Sequence, residues 1–202
     1  MLRIGLTGGI ACGKSTVAEM LVKRGAHVLQ ADSLAHELYQ PGTATHNEIV
    51  RHFGETILKE DRTIDRRCLA NLVFPDRIRE LNAIVHPAVI EAQNNWMAEV
   101  EREDPHAIAV VEAALLMEAG AADDFDKVIV VTCDANQKAA RYAERMGVSL
   151  EVARGEVARR SAAQFTDDEK SRRADYVIEN SGPREHTEDQ VEKIWTELLA
   201  LA

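Results

Sequence analysis

Cysteine is scarce in this 202-residue sequence: Cys12, Cys68 and Cys133 are odd in number, widely spaced and without a C-x-x-C pair. That argues against a disulfide framework and a zinc cluster and fits a reducing, cytoplasmic setting. Basic residues are the minority, 24 Lys and Arg against 34 Asp and Glu, for a formal charge of −10. Such a balance opposes binding dominated by neutralising a duplex backbone, so no nucleic-acid partner is expected. No apolar run approaches the ~18 residues that span a bilayer, and the first residues lack the charged-then-apolar plan of a signal peptide. No membrane partner is expected either. Internal repeats and low-complexity tracts are also missing.

What is present is an alternation. Short β-branched runs at Arg3–Thr7, His27–Gln30, Ala107–Glu112, Lys127–Thr132 and Tyr176–Glu179 are separated by longer helical patterns. Near-continuous apolarity on such runs suits a parallel sheet covered on both faces, so the sequence predicts an α/β fold. Val17, Met20 and Leu21, and later Val191, Ile194, Trp195, Leu198 and Leu201, recur at helical spacing and read as core faces. About 76 residues separate the second and third runs, far beyond the dozen that a simple crossover needs. A mostly helical insertion over about 33–85 is expected there, followed by a helix opening at Pro87. A second helical excursion, 137–173, is Arg-rich. From Lys138 to Arg173 nine basic residues face six acidic ones, a local +3 suited to an anion.

The stretch Gly8-Gly9-Ile10-Ala11-Cys12-Gly13-Lys14-Ser15 matches G-x-x-x-x-G-K-[ST] between a strand and an amphipathic helix. Glycines let backbone N–H groups turn inward, and the helix N-terminus adds partial positive charge. Lys14 is expected to reach the β and γ oxygens of a nucleoside triphosphate, Ser15 to offer its hydroxyl to Mg²⁺, and Thr16 to bond the α-phosphate. Cys12 fills a position where a small side chain suffices. The loop does not specify the acceptor, since kinases, GTPase switches and mechanical ATPases all use it. Neither N-K-x-D nor D-x-x-G occurs, which weighs against a guanine-specific switch. A small kinase needs a carboxylate beside the acceptor hydroxyl and cations over the γ-phosphate. Asp32 follows the second strand run, where open α/β sheets place ligands. The plain alternative is a helix N-cap, and both readings stand at this point. Arg141 and Arg145, four apart on a predicted helix, share a face that is either phosphate-directed or simply solvated.

Taken together, LTGGIACGKSTV, ADSLAHELYQPG, FGETILKEDRTIDRRCLANLVF, AIVHP, LLME, Gln164 through Lys170 and ADYVIENSG resemble the dephospho-CoA kinase family over almost the whole chain. The resemblance implies a P-loop NTPase fold, three-layer α/β/α with a five-stranded parallel sheet, in a single domain over 2–202. Within it, a core of about 2–32, 86–136 and 174–202 would carry a helical substrate subdomain of about 33–85 and a lid of about 137–173. The implied reaction moves the ATP γ-phosphoryl group to the 3′-hydroxyl of dephospho-CoA, with ATP and Mg²⁺ as cofactors. Carried onto this sequence, Gly8, Gly9, Ala11, Cys12, Gly13, Lys14, Ser15 and Thr16 form the ATP-phosphate site, with Ser15 on the metal. Asp32 becomes the base, Lys14 and Arg141 the catalytic cations, and Arg145 a lid residue. Asn180 and Gly182 resemble the turn beside the adenine, though N-S-G is also an ordinary turn. Thr7, Asp32 and His86 fall on the acceptor side, while a histidine capping the Pro87 helix is the plainer reading of His86. Two positions depart from the family pattern: Ala114 stands where a proline is usual, and Ile90 where an arginine is usual. A monomer is expected, with weak self-association allowed.

Overall fold

The computed structural model describes all of residues 1–202. In chain order its elements are β1 (Leu2–Gly8), α1 (Lys14–Val22), β2 (His27–Gln30), α2 (Ala31–Leu38), α3 (Ala44–Phe53), α4 (Arg66–Val73), α5 (Ile78–Glu103), β3 (Ile108–Glu112), β4 (Lys127–Thr132), α6 (Ala135–Met146), α7 (Leu150–Ser161), α8 (Asp167–Ser171), β5 (Tyr176–Glu179) and α9 (Arg184–Leu199). Two compact units result, one of Met1–Leu29 with Val100–Ala202, the other of Gln30–Glu99.

The first unit is built on a five-stranded parallel sheet in the order β2-β3-β1-β4-β5. Each of the five apolar runs read from the sequence becomes one of its strands. Register sets Ile4 opposite Val110 on one side of β1 and opposite Lys127 on the other. β1 is therefore central, where strand order reverses, and the loop after its carboxyl end lies where such sheets bind ligands. Val17, Met20 and Leu21 of α1 and Val191, Ile194, Trp195 and Leu198 of α9 join Ile4, Leu6 and Ile129 in one buried cluster. Each large side chain so buried contributes roughly 1.5–3 kcal/mol. α6 opens on Asp134, whose carboxylate accepts from the N–H groups of Asn136 and Gln137, and closes on Gly147. α7 opens on Ser149. Tyr142, Ala153 and Val157 of these two helices bury a small cluster against Ile10 and Ala11 of the glycine loop.

The second unit gathers Ile49, Phe53, Ile57, Leu69, Val73, Leu81 and Val85 into its own core. Thr43 caps α3 and Asp65 caps α4, the latter accepting from Arg67 and Cys68 N–H groups at 2.9 and 3.0 Å. Those bonds, the one from Cys68 above all, hold the Asp65 carboxyl below its ordinary range. The expected helix start at Pro87 is corrected: Pro87 lies inside the 26-residue α5. Leu81 and Val85 already commit the preceding turns to the core, so the helix is running when the proline arrives. There the missing N–H removes one hydrogen bond without ending the helix.

Candidate active site

The glycine loop departs from β1 through backbone that only glycine suits. Gly8 has φ +151°, and a Cβ built there would lie 2.2 Å from the Val131 carbonyl oxygen. Gly13, φ +93°, is the N-cap of α1, and its Cβ would lie 2.1 Å from the Asn180 amide nitrogen. Ala11 is held left-handed at φ 54°, a local strain of about 1 kcal/mol of the kind that clusters at ligand sites. No side chain caps α1, which leaves its first-turn N–H groups facing an anion's natural position. Lys14 Nζ donates to the Gly8 and Gly9 carbonyls, each at 3.1 Å. Ser15 is exposed and Thr16 half-buried in that first turn.

Behind the loop stands a polar brace. Cys12 is fully buried, and burial pushes its thiol above the ordinary 9.0. Its carbonyl accepts from Asn180 Nδ2 at 2.8 Å and from the Arg141 guanidinium at 3.4 Å. Asn180, itself buried, accepts from the Thr187 hydroxyl at 2.8 Å through Oδ1. Its N–H donates to Thr132 and its carbonyl accepts from Arg141 at 2.8 Å. Removing such a buried partner leaves desolvated groups unpaired, at about 1–3 kcal/mol. Arg141 thus reaches the loop, whereas Arg145 is exposed with its guanidinium 5.7 Å from the Tyr142 ring. The two arginines share a helix and not a target. Gly182 sits half-buried in the turn before α9, beside His186.

A second brace escaped the sequence reading. Thr7 is fully buried and its hydroxyl donates to the Ala114 carbonyl at 3.4 Å. The same carbonyl accepts from Lys170 Nζ at 3.3 Å, and Lys170, with no exposed surface, pairs with Glu118 at 3.0 Å. Glu118 also accepts the Phe165 N–H at 2.8 Å. Ala114, which stands in place of a proline, is therefore fixed by two side chains. Lys138 is nearly buried as well and pairs with Asp167 at 2.5 Å. In sequence, these lysines look like any others on a charged helical stretch. The only available signal was that LLME and Gln164–Lys170 recur together in the resemblance.

In the second unit, Asp32 is exposed at the second position of α2, whose N-cap is Gln30 and carries no side-chain capping bond. The capping alternative therefore does not hold. Asp32 lines an open pocket of about 460 Å³ with His36, Tyr39, Arg66, Leu69 and Phe74 among others. The Arg66 guanidinium bonds to His36 Nε2 and lies 5.3 Å from the Tyr39 ring centroid. Burial raises the Tyr39 hydroxyl, with Arg66 pulling the other way. His86 is exposed in the middle of α5, so it caps no helix.

A family model described as dephospho-CoA kinase matches residues 2–185. The chain belongs to the dephospho-CoA kinase family. It is 48% identical over 201 residues to the dephospho-CoA kinase of Geobacter metallireducens, covering 98% of each chain. With that of Aquifex aeolicus it shares 41% over 200 residues, again 98% of each. Among solved structures, a Thermus thermophilus protein superposes with a TM-score of 0.82 at 34% identity, covering 97% of this chain and 96% of the other. Dephospho-CoA kinase from Campylobacter jejuni gives 0.70 at 26%, covering 98% and 97%. A shikimate kinase of Bacteroides thetaiotaomicron, 14% identical with a TM-score of 0.52, shares the fold. As a dephospho-CoA kinase family member the chain is a P-loop kinase with ATP as phosphate donor.

Proposed function

We infer that the protein transfers the γ-phosphoryl group of ATP to the 3′-hydroxyl of the ribose of dephospho-CoA, giving CoA and ADP in the last step of CoA biosynthesis. The observation that carries this reading is the family match over residues 2–185 on a chain whose phosphate loop is fully built. Phosphoryl transfer asks little covalent help of a protein, so catalysis is mostly positioning and charge. The N–H groups from Gly8 to Thr16 cradle the phosphates, and Lys14 with Arg141 balances the charge that develops on the equatorial oxygens. Asp32 orients the acceptor hydroxyl and takes its proton. Arg145 belongs to the lid, Asn180 and Gly182 to the adenine side, and His86 to the acceptor side. Thr7, being buried, serves the acceptor side through the Ala114 loop. We assign a core, a helical acceptor subdomain and a lid of α6 to α8 to these roles.

The residues also suit Mg²⁺. It prefers hard oxygen ligands and keeps most of its waters, so the exposed Ser15 hydroxyl at the head of the uncapped α1 is an adequate protein contribution. When bound, the ion screens the phosphate charge. No helix is long and apolar enough to cross a membrane; we propose a cytoplasmic enzyme and expect a monomer. The test incubates purified protein with Mg-ATP and dephospho-CoA, AMP, shikimate or no acceptor. ADP release that requires dephospho-CoA is the expected result; release independent of it would overturn the reading.

A further inference from the structure

Two ammonium groups converge on the Gly8-Gly9 dipeptide, and only one has a recognised task. Lys14 Nζ lies on the Gly8 and Gly9 carbonyls. Since this lysine serves the β and γ oxygens, Gly9 marks the terminal-phosphate end of the loop. Lys138 Nζ comes to the same residue from α6: a Cβ built on Gly9 would lie 2.9 Å from it and 3.0 Å from Asp167 Oδ1. Lys138 is already largely stripped of water, its side chain 11% exposed, and Asp167 Oδ2 neutralises it at 2.5 Å. The pair is not sealed away. Gly9, Lys138 and Asp167 line a cavity of about 580 Å³ together with Arg154, Ser161 and Gln164. A carboxylate at that end of a phosphate loop opposes an incoming polyanion, whereas the lysine beside it attracts one.

We propose that Lys138 is a second phosphate-directed cation and that Asp167 is an internal anion which the terminal phosphate of ATP displaces from it. This rests on reading the glycine loop as the ATP-phosphate site. The exchange leaves Lys138 paired in both states, so its ammonium is never buried alone, and it makes binding sensitive to the third phosphate. ADP, lacking that group, leaves the Lys138–Asp167 pair intact.

Full-length protein with Mg²⁺ is titrated with a non-hydrolysable ATP analogue and, separately, with ADP. Lys138→Met is expected to weaken the analogue about tenfold while changing ADP less than about twofold. Asp167→Asn removes the competitor and is expected to tighten the analogue about threefold or more; the double variant should match Lys138→Met alone. Should Lys138→Met fail to fold, the sign in Asp167→Asn still decides, read as a larger thermal shift on adding the analogue. Analogue binding that is unchanged or weaker in Asp167→Asn makes the pair a structural clasp and overturns the proposal, as does an equal loss for ADP. Lys14→Ala in the same titration tests the loop reading separately: undiminished binding of both nucleotides would defeat that reading, whatever sign Asp167→Asn shows.

Discussion

The phosphate loop and the pocket around Asp32 are held by different forces. The loop is fixed by hydrogen bonds converging from Asn180, Arg141 and Lys14, and the Asn180 bond, fully buried, is strong because water is excluded and costly to leave unmade. The Asp32 pocket stands on an apolar cluster of Leu69, Val73 and Leu81, while its polar groups Asp32, His36 and Arg66 meet solvent. A polyphosphate demands donors preset within tenths of an ångström. An acceptor with a long, partly apolar arm is served by a forgiving surface. On the roles proposed above, loop changes are expected to act on the nucleotide, and pocket changes on turnover and acceptor.

The largest break in that contrast is expected from Lys14→Ala, which should lower kcat/KM by roughly a thousandfold. Steady-state kinetics in ATP checks it, and near-normal turnover would remove Lys14 from the site. Asp32→Asn should reduce kcat about a hundredfold with ATP affinity intact; weakened ATP binding at unchanged kcat would erase the distinction between the regions. Asn180→Ala removes the nearer of the two donors on the Cys12 carbonyl, leaving only the longer bond from Arg141, and takes the Asn180 acceptor from the Thr187 hydroxyl. It should cost about 1–3 kcal/mol of stability, measured by chemical denaturation, and raise KM for ATP without moving KM for dephospho-CoA.

The smallest effect concerns pH in the second unit. Bonds from Arg77 first and His52 second lower Glu80 from 4.5 to about 2. A depressed carboxylate contributes stability present above its unfolded value and lost as pH falls through the folded one. Native protein should therefore exceed Glu80→Gln in stability at pH 5, with the gap closing between about pH 4.5 and 2. Acid titration of the melting temperature of both proteins measures this. A constant gap would mean that the triad acts by packing, since Glu80 is partly exposed and its ion pairs with Arg77 and His52 are screened.

Much of the fold was legible. Five apolar runs became five strands with little change of boundary; β1, β3 and β4, buried on both faces, write their burial into consecutive residues, while the outer β2 and β5 are only partly buried. The stripes on α1 and α9 were equally plain, save that Leu201, read as the last residue of the core face, lies beyond the end of α9 and is exposed. Pro87 misled, since a proline marks a helix start only when nothing before it is already helical. Within the site, the glycine loop was readable as a contiguous motif, and Asn180 was found through ENSG. Its work proved to be a side-chain hold on Cys12, not an ordinary turn. Lys138 gave no such signal, and Glu118, Asp167 and Lys170 gave only their place in the segments LLME and Gln164–Lys170, which says nothing of whom they meet. Their partners lie 29 residues apart for Lys138 and Asp167, and nothing in a lysine's neighbours along the chain tells whether it is solvated or desolvated.

By itself, then, the sequence determined what depends on neighbours in the chain: the strand runs, the amphipathic stripes, the phosphate-binding motif and the family that these belong to. Only the tertiary structure decided which polar groups lose their water and whom they meet. The Asn180 amide reaches a carbonyl 168 residues away, and Thr7 and Lys170 share one acceptor in Ala114. Hydrogen bonding and charge pairing act over a few ångströms of space, and packing alone brings such distant residues within that range.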